Sequence, residues 1–309
     1  MKRKIEASEL IFKIIAYVLL IIFAILCVYP LLYALGSTFS AWDSVRDGKV
    51  ILWPDGFQIE SFRLVFMDNQ FWVNYSNTLF VTFIGTIWCL VYSVLGAYAL
   101  SKKRLMGRHG FNFFLVFTMW FGAGVIPQYL NYQQTGAVFA SIVGGSSMFD
   151  IDLKWLIVIA MGMNATNIIL LRNSFEGVPS EIEEAARIDG ATELQILTKV
   201  YIPMSKATIA TVALFFGISR WNGYFWAYKV LGTQQQYSWP VQVYMRDFID
   251  TNTNLTLNYV ADTADYKDIG QATSMVYAMV VLAMVPILVI YPFIQKYFAK
   301  GVNMGGVKE

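Results

Sequence analysis

The chain has 309 residues, 57% of them hydrophobic and only 14% charged, whereas an ordinary soluble domain is about one quarter charged. This composition belongs to the membrane class, and the small net charge of +2 is informative only through its distribution. A single histidine, His109, and two cysteines inside apolar runs, Cys27 and Cys89, argue against a zinc or haem centre, a disulfide framework and a redox motif.

A bilayer core of about 30 Å needs roughly twenty apolar residues in helix. The first such stretch, Ile11 to Leu35, exceeds the apolar core of a signal peptide, and no small-x-small cleavage site follows it. A second span, Leu79 to Leu100, leads into the basic loop "SKKRLMGRHG". The third runs from Phe111 to Leu130, where Gly122 and Gly124 allow close packing or a helix break near Pro127. "GGSS" at 144–147 is a local turn signal. The fourth span, Trp155 to Leu171, is short and holds Asn164 and Asn167 on one face, as interhelical hydrogen-bonding groups or as solute contacts. Ala207 to Tyr228 forms the fifth, carrying Arg220, and Val276 to Phe298 the sixth, carrying Pro286 and Pro292.

Six spans put both termini on one side of the membrane. That side carries fifteen Lys and Arg, from the N-terminal Lys2, Arg3 and Lys4 to the tail residues Lys296, Lys300 and Lys308; the other side carries seven. The positive-inside rule therefore predicts cytoplasmic termini. It also places "SEIEEAARIDGATELQILTKVYIP", residues 180–203, in a cytoplasmic loop between spans four and five.

Within that loop, Ser180 with Glu183 and Thr192 with Gln195 each match a capping box, predicting two short helices. Asp189-Gly190 supplies the turn between them, and Pro203 the end of the second. Ile182, Ala185 and Ala186 share one face of the first helix; Leu194, Leu197 and Tyr201 follow helical spacing in the second. Such a pair either packs on its own bundle or presents Glu184, beside two alanines that permit close approach, to a basic partner.

"EEAARIDGA" followed by "KVYIP" resembles the EAA loop of ABC-importer permeases, and the wider stretch resembles the carbohydrate-uptake, maltose-permease-like version. "NTLF" at 77–80, "WNGYFW" at 221–226 and "YPFIQKYFAKGVNMGGVK" at 291–308 are similar to the same family. The resemblance implies an all-α membrane protein, a type I ABC-importer permease with six transmembrane helices and a cytoplasmic EAA-type helix-turn-helix between spans four and five. One transmembrane domain would cover 1–309, with a five-span core at 79–298 and a coupling loop at 172–206. Glu184, Ala185, Ala186, Asp189 and Gly190 would couple to the ATPase. Implied partners are a second homologous permease, two cytoplasmic ATPases, an extracytoplasmic solute-binding protein and the lipid bilayer of a bacterial cell membrane, with no nucleic acid. No G-x-x-x-x-G-K-[ST] phosphate loop occurs, so this chain is expected to be no enzyme and to hold no cofactor or metal; ATP and Mg would sit on the partner ATPase.

An intramembrane charge is costly, so Arg220 is expected to face a cavity or a partner: a solute group, a carbonyl or acid of the second permease, or the membrane interface. Trp221, Asn222 and Tyr224 follow it with faces and tips suited to sugars, though aromatic residues also suit the membrane interface, to which Trp226 is assigned. Asn164, Arg220, Trp221, Asn222 and Tyr224 are therefore the candidate solute contacts. An importer for a non-sugar solute shares the EAA loop. A self-contained secondary carrier is opposed by the scarcity of intramembrane acids.

Overall fold

The computed structural model describes residues 7–145, 148, 151–160, 162, 164–232, 235–259 and 266–302, and every extended element among them is helical. Lys2, Arg3, Lys4, Lys308, the side chains of Lys296 and Lys300, and half of the "GGSS" turn lie outside the described residues. The chain forms two compact units, one of residues 1–71 and 245–285, the other of residues 72–244 and 286–309.

The first unit contains α1 (Ala7–Thr38), α2 (Trp42–Arg46), α3 (Glu60–Met67) and portions of α14 (Val241–Tyr259) and α15 (Tyr266–Val302). Along α1 every side chain from Leu10 to Leu26 except Ala16 is exposed, as suits a helix whose solvent is hydrocarbon. The polypeptide after α1 is held by polar contacts. Gln58 donates to the Ser40 carbonyl at 2.8 Å, the Trp42 indole to the Ser61 hydroxyl at 3.3 Å, and the Ala41 amide to the Asp55 carbonyl at 2.9 Å.

The second unit is organised by α4 (Asn69–Ser101), followed by α5 (Arg108–Trp120), α6 (Val125–Ile142), α7 (Leu153–Ala160) and α8 (Ala165–Glu176). Next come α9 (Ser180–Ile188), α10 (Glu193–Ile196), a π-helical turn at Leu197–Tyr201, α11 (Ile202–Met204), α12 (Lys206–Trp221) and α13 (Tyr224–Leu231). Two buried clusters divide this unit. Val81 of α4 packs with Leu153, Leu156, Ala227 and Trp239; Cys89, Ala97 and Tyr98 pack with Leu171, Phe175 and Tyr201. A single helix, α4, thus belongs to both.

Three of the expected spans are single helices long and apolar enough to cross a bilayer: Glu9–Thr38, Asn69–Ser101 and Ile269–Pro292. The others are interrupted. The third expected span is α5 and α6, bent by 119° at Phe121–Gly124, where Gly124 has φ of 84° and open space around it; the break precedes Pro127. The fourth is α7 and α8, between which Gly162 and Asn164 are not helical. Asn222-Gly223 interrupts the fifth between α12 and α13. The second helix of the pair runs on through the π-helical turn to Met204, one residue past Pro203, and the chain then bends by 86° before α12.

Candidate functional site

The helix pair forms as the capping signals predict only in its second half. Thr192 accepts from the Gln195 amide while Gln195 accepts from the Thr192 amide, a complete capping box. The first box is absent: Pro179 precedes a helix whose first residue is Ser180, with no side-chain cap, and Glu183 is used elsewhere. Between the helices Gly190 adopts φ of +78°, its amide donating to the Arg187 carbonyl at 3.0 Å and the Ala191 amide to the Ala186 carbonyl at 2.9 Å. That pattern is a Schellman ending, which needs a left-handed residue at this position.

α9 has two faces. Glu184, Ala185, Asp189 and Gly190 are exposed together with Ile188, 87% exposed, while Leu194 of the next helix is 66% exposed. Ala186 turns inward against the buried cluster, so Ala185 and Ala186 do not share a face, and Leu194 departs from the buried Leu197 and Tyr201. Glu183 also points inward. Lys102, just beyond the end of α4, donates to it at 2.7 Å and Arg187 at 2.6 Å, and the Tyr201 hydroxyl donates to it as well. Burial alone would raise the Glu183 carboxyl, but the hydrogen bonds from Lys102 and Tyr201 and the charges of Lys102 and Arg187 outweigh it and hold the group below its usual range.

The second feature lies where α7 is interrupted. The last four carbonyls of a helix lack partners within it, and for α7 these begin at Ile157. Arg220 of α12, only 9% exposed, donates to the Ile157 carbonyl at 2.8 Å and to the Val158 carbonyl at 3.5 Å, and to the Cys89 sulfur of α4 at 3.1 Å. A cation at a helix C-terminus is favourably placed in the field of the peptide dipoles. Arg220 also lines a cavity of about 520 Å³ with Tyr132, Asn222, Tyr224, Phe225 and Trp226, and among the described residues it is the only charged one lining it.

The family model for the binding-protein-dependent transport system inner membrane component matches residues 80–304. The chain belongs to this family. As such a component it is a membrane-embedded transport subunit that works with ATPase and binding-protein components. The permease is 33% identical over 303 residues to the polygalacturonan/rhamnogalacturonan transport system permease protein YtcP of Bacillus subtilis (strain 168), covering 96% of this chain and 98% of that one. The maltodextrin transport system permease protein MdxG of the same organism is 25% identical over 306 residues, covering 98% and 99%. Among solved structures, a chain from the crystal structure of a bacterial ABC transporter involved in the import of the acidic polysaccharide alginate superposes with a TM-score of 0.80 at 39% identity, covering 96% of this chain and 100% of that chain. The permease has the type I ABC-importer fold.

Of the five candidate solute contacts in this permease, Arg220, Asn222 and Tyr224 line one cavity. Asn164 and Trp221 do not. Asn164 caps α8 by accepting from the Asn167 amide at 3.2 Å, because the helix restarts there with unpaired amides. Trp221 faces a separate apolar groove beside Leu79, Phe83, Ile218 and Pro286, with its ring edge-to-face on Tyr75 at 5.9 Å. Trp226, assigned to the membrane interface by sequence, instead lines the cavity and packs on Tyr132 at 5.1 Å. Sequence reasoning missed Lys102, Tyr98 and Glu193. Lys102 reaches Glu183 across 81 positions and Tyr98 reaches Glu193 across 95, and no local spacing encodes such a pairing.

Proposed function

We propose that this permease is one half of the membrane pathway of an ATP-driven importer for oligosaccharides that carry acidic sugars, delivered by an extracytoplasmic solute-binding protein. The reading rests on similarity along almost the whole chain to two systems named for acidic polymers, at 39% and 33% identity. Arg220 supports it: the residue places a positive charge in the wall of the cavity. Its donors are engaged by carbonyls, so it offers the solute a field more than a direct hydrogen bond. Across about 10 Å at an effective dielectric near 20, one charge contributes about 1.5 kcal/mol, on the order of tenfold.

The assembly we infer has a second homologous permease, two ATPase chains that bind ATP and Mg, and cytoplasmic termini in a bacterial cell membrane. The exposed Glu184, Ala185, Asp189 and Gly190, with the apolar Ile188 and Leu194 beside them, are the docking face toward the ATPase, and Ala186 lets α9 lie close to its own core. Uptake of labelled oligogalacturonate and of a neutral oligosaccharide, by cells expressing the wild type or Arg220→Gln, tests the solute class. The expected result is preferential uptake of the uronide, weakened about tenfold in the variant. Equal uptake of both sugars by the wild type would refute the acidic class, and an unchanged preference in Arg220→Gln would remove Arg220 from the argument.

A further inference from the structure

The helix pair is covalently continuous with α8 on one side and α12 on the other, but α4 has no such link to it. Any force that the pair delivers to α4 must pass through non-covalent contacts. Those contacts are concentrated at one place. Lys102 is held between two rings, its ammonium 4.1 Å from the centre of Tyr98 and 3.9 Å from that of Tyr201, while it donates to Glu183 at 2.7 Å. The rings themselves meet edge-to-face at 5.1 Å. Glu193 completes the arrangement: the Tyr98 hydroxyl donates to it at 2.7 Å and Arg187 at 3.1 Å, and Arg104 is paired with it. Every charge in this group has an opposite partner, and the central ion pair is only 10% and 15% exposed.

At its other contact α4 meets Arg220. The Cys89 sulfur accepts from the guanidinium, and Gly85 lies so close that an added Cβ would stand 3.3 Å from its Nε. From Cys89 to Ser101, the residue before Lys102, is about 18 Å of uninterrupted helix, at 1.5 Å per residue. We propose that Lys102, Glu183 and Tyr201 form a latch that hands movement of the helix pair to α4, and through α4 to Arg220 and the cavity wall. These three are positioning residues: none touches solute or nucleotide. A stiff latch suits this task because buried ion pairs and close-packed rings shift between discrete arrangements and do not stretch. Glu183 thus faces the bundle, while its neighbour Glu184 faces outward.

The inference rests on the reading of the helix pair as the ATPase docking element, so the test separates the two. The complete transporter, reconstituted in proteoliposomes with its ATPases and binding protein, is assayed for solute moved per ATP hydrolysed, and co-purification reports assembly. If the wild type forms no complex with an ATPase, the functional reading fails and the latch with it. If it does, Lys102→Met and Glu183→Gln are expected to assemble and hydrolyse ATP yet to move about five- to tenfold less solute per ATP. Lys102→Arg, which keeps the charge over the rings, should restore most of the ratio, and the double variant Lys102→Met with Glu183→Gln should be no worse than either single one. Tyr201→Phe preserves every ring contact and removes one hydrogen bond; its expected loss is about twofold to fivefold. Should the charge variants fail to assemble, Tyr201→Phe decides. An unchanged ratio in assembled variants overturns the latch while leaving the docking reading intact.

Discussion

Lys102 and Arg220 are buried to the same degree, each 9% exposed, and the chain satisfies them by opposite means. Lys102 meets the carboxylate of Glu183 and two aromatic faces; Arg220 meets main-chain carbonyls and a thiol. A cation paired with a carboxylate has its charge cancelled and acts through geometry alone. One paired with carbonyl dipoles keeps its net charge, and its field extends into the neighbouring cavity. Two places along α4 thus carry different work: a neutral joint at its C-terminal end near the helix pair, and a positive wall beside its middle.

Glu183→Ala breaks that contrast most severely, because it leaves Lys102 buried without its carboxylate. Removing one partner of such a pair costs about 3–5 kcal/mol, which should appear as a large fall in the thermal unfolding midpoint of the detergent-solubilised complex. Acid does the same work reversibly. The Glu183 carboxyl is held below its ordinary value of 4.5, so its contribution is fully present above that pH and is lost as pH falls through the lower folded value. The unfolding midpoint should be flat from pH 7 to 5 in this respect, then fall below pH 4.5 in the wild type and less steeply in Glu183→Gln. Equal acid sensitivity in both proteins would show that another carboxylate dominates.

At the other cation the charge and the hydrogen bonds can be separated. Arg220→Gln keeps one donor and orphans the other carbonyl, at about 1–3 kcal/mol, and loses the field. Arg220→Lys keeps the charge without the fork that reaches two carbonyls. Lysine is expected to retain the preference for acidic solutes with reduced stability, and glutamine to lose both. If lysine and glutamine reduce the preference equally, Arg220 acts through the shape of the α7 terminus and not through its field.

Gly190→Val should cost about 1–2 kcal/mol, since a β-branched residue is forced into the left-handed region that ends α9. A Cβ added there would meet no described atom within 4 Å beyond its chain neighbours, so the penalty is conformational and not a clash. Membrane insertion should persist while transport coupled to ATP hydrolysis declines. Normal coupling in this variant would separate the turn from the docking face.

What could be read from the sequence follows from what is local. Apolar length identified α1, α4 and α15, and a Gly at the end of a capped helix identified the turn at Gly190, because both signals lie within one element. The bend at Phe121–Gly124 was half legible: Gly122 and Gly124 announce a weak point, but only the folded chain shows that the helix restarts before Pro127. Asn164 has the same sequence appearance as a solute ligand or a cap, and its role depends on the interruption of a helix that hydropathy shows as continuous. The partners of Lys102 could not be read at all, since three separate segments must assemble before the ion pair exists.

The smallest predicted effect tests the same lesson inside the helix pair. Ser180-x-x-Glu183 and Thr192-x-x-Gln195 are equivalent as capping sequences, yet only the second closes. Gln195 returns to the Thr192 amide, whereas Glu183 gains more from Lys102, Arg187 and Tyr201 than from an amide at the start of its own helix. Thr192→Ala should therefore destabilise the pair by about 1 kcal/mol, while Ser180→Ala, at a position that caps nothing, should change stability by only a few tenths of that. Amide hydrogen exchange across α9 and α10 resolves the difference: faster exchange confined to α10 in Thr192→Ala is the expected outcome. Comparable loosening of α9 in Ser180→Ala would mean that Glu183 divides its time between the latch and the cap, and the joint at Lys102 would then be weaker than its 2.7 Å contact indicates.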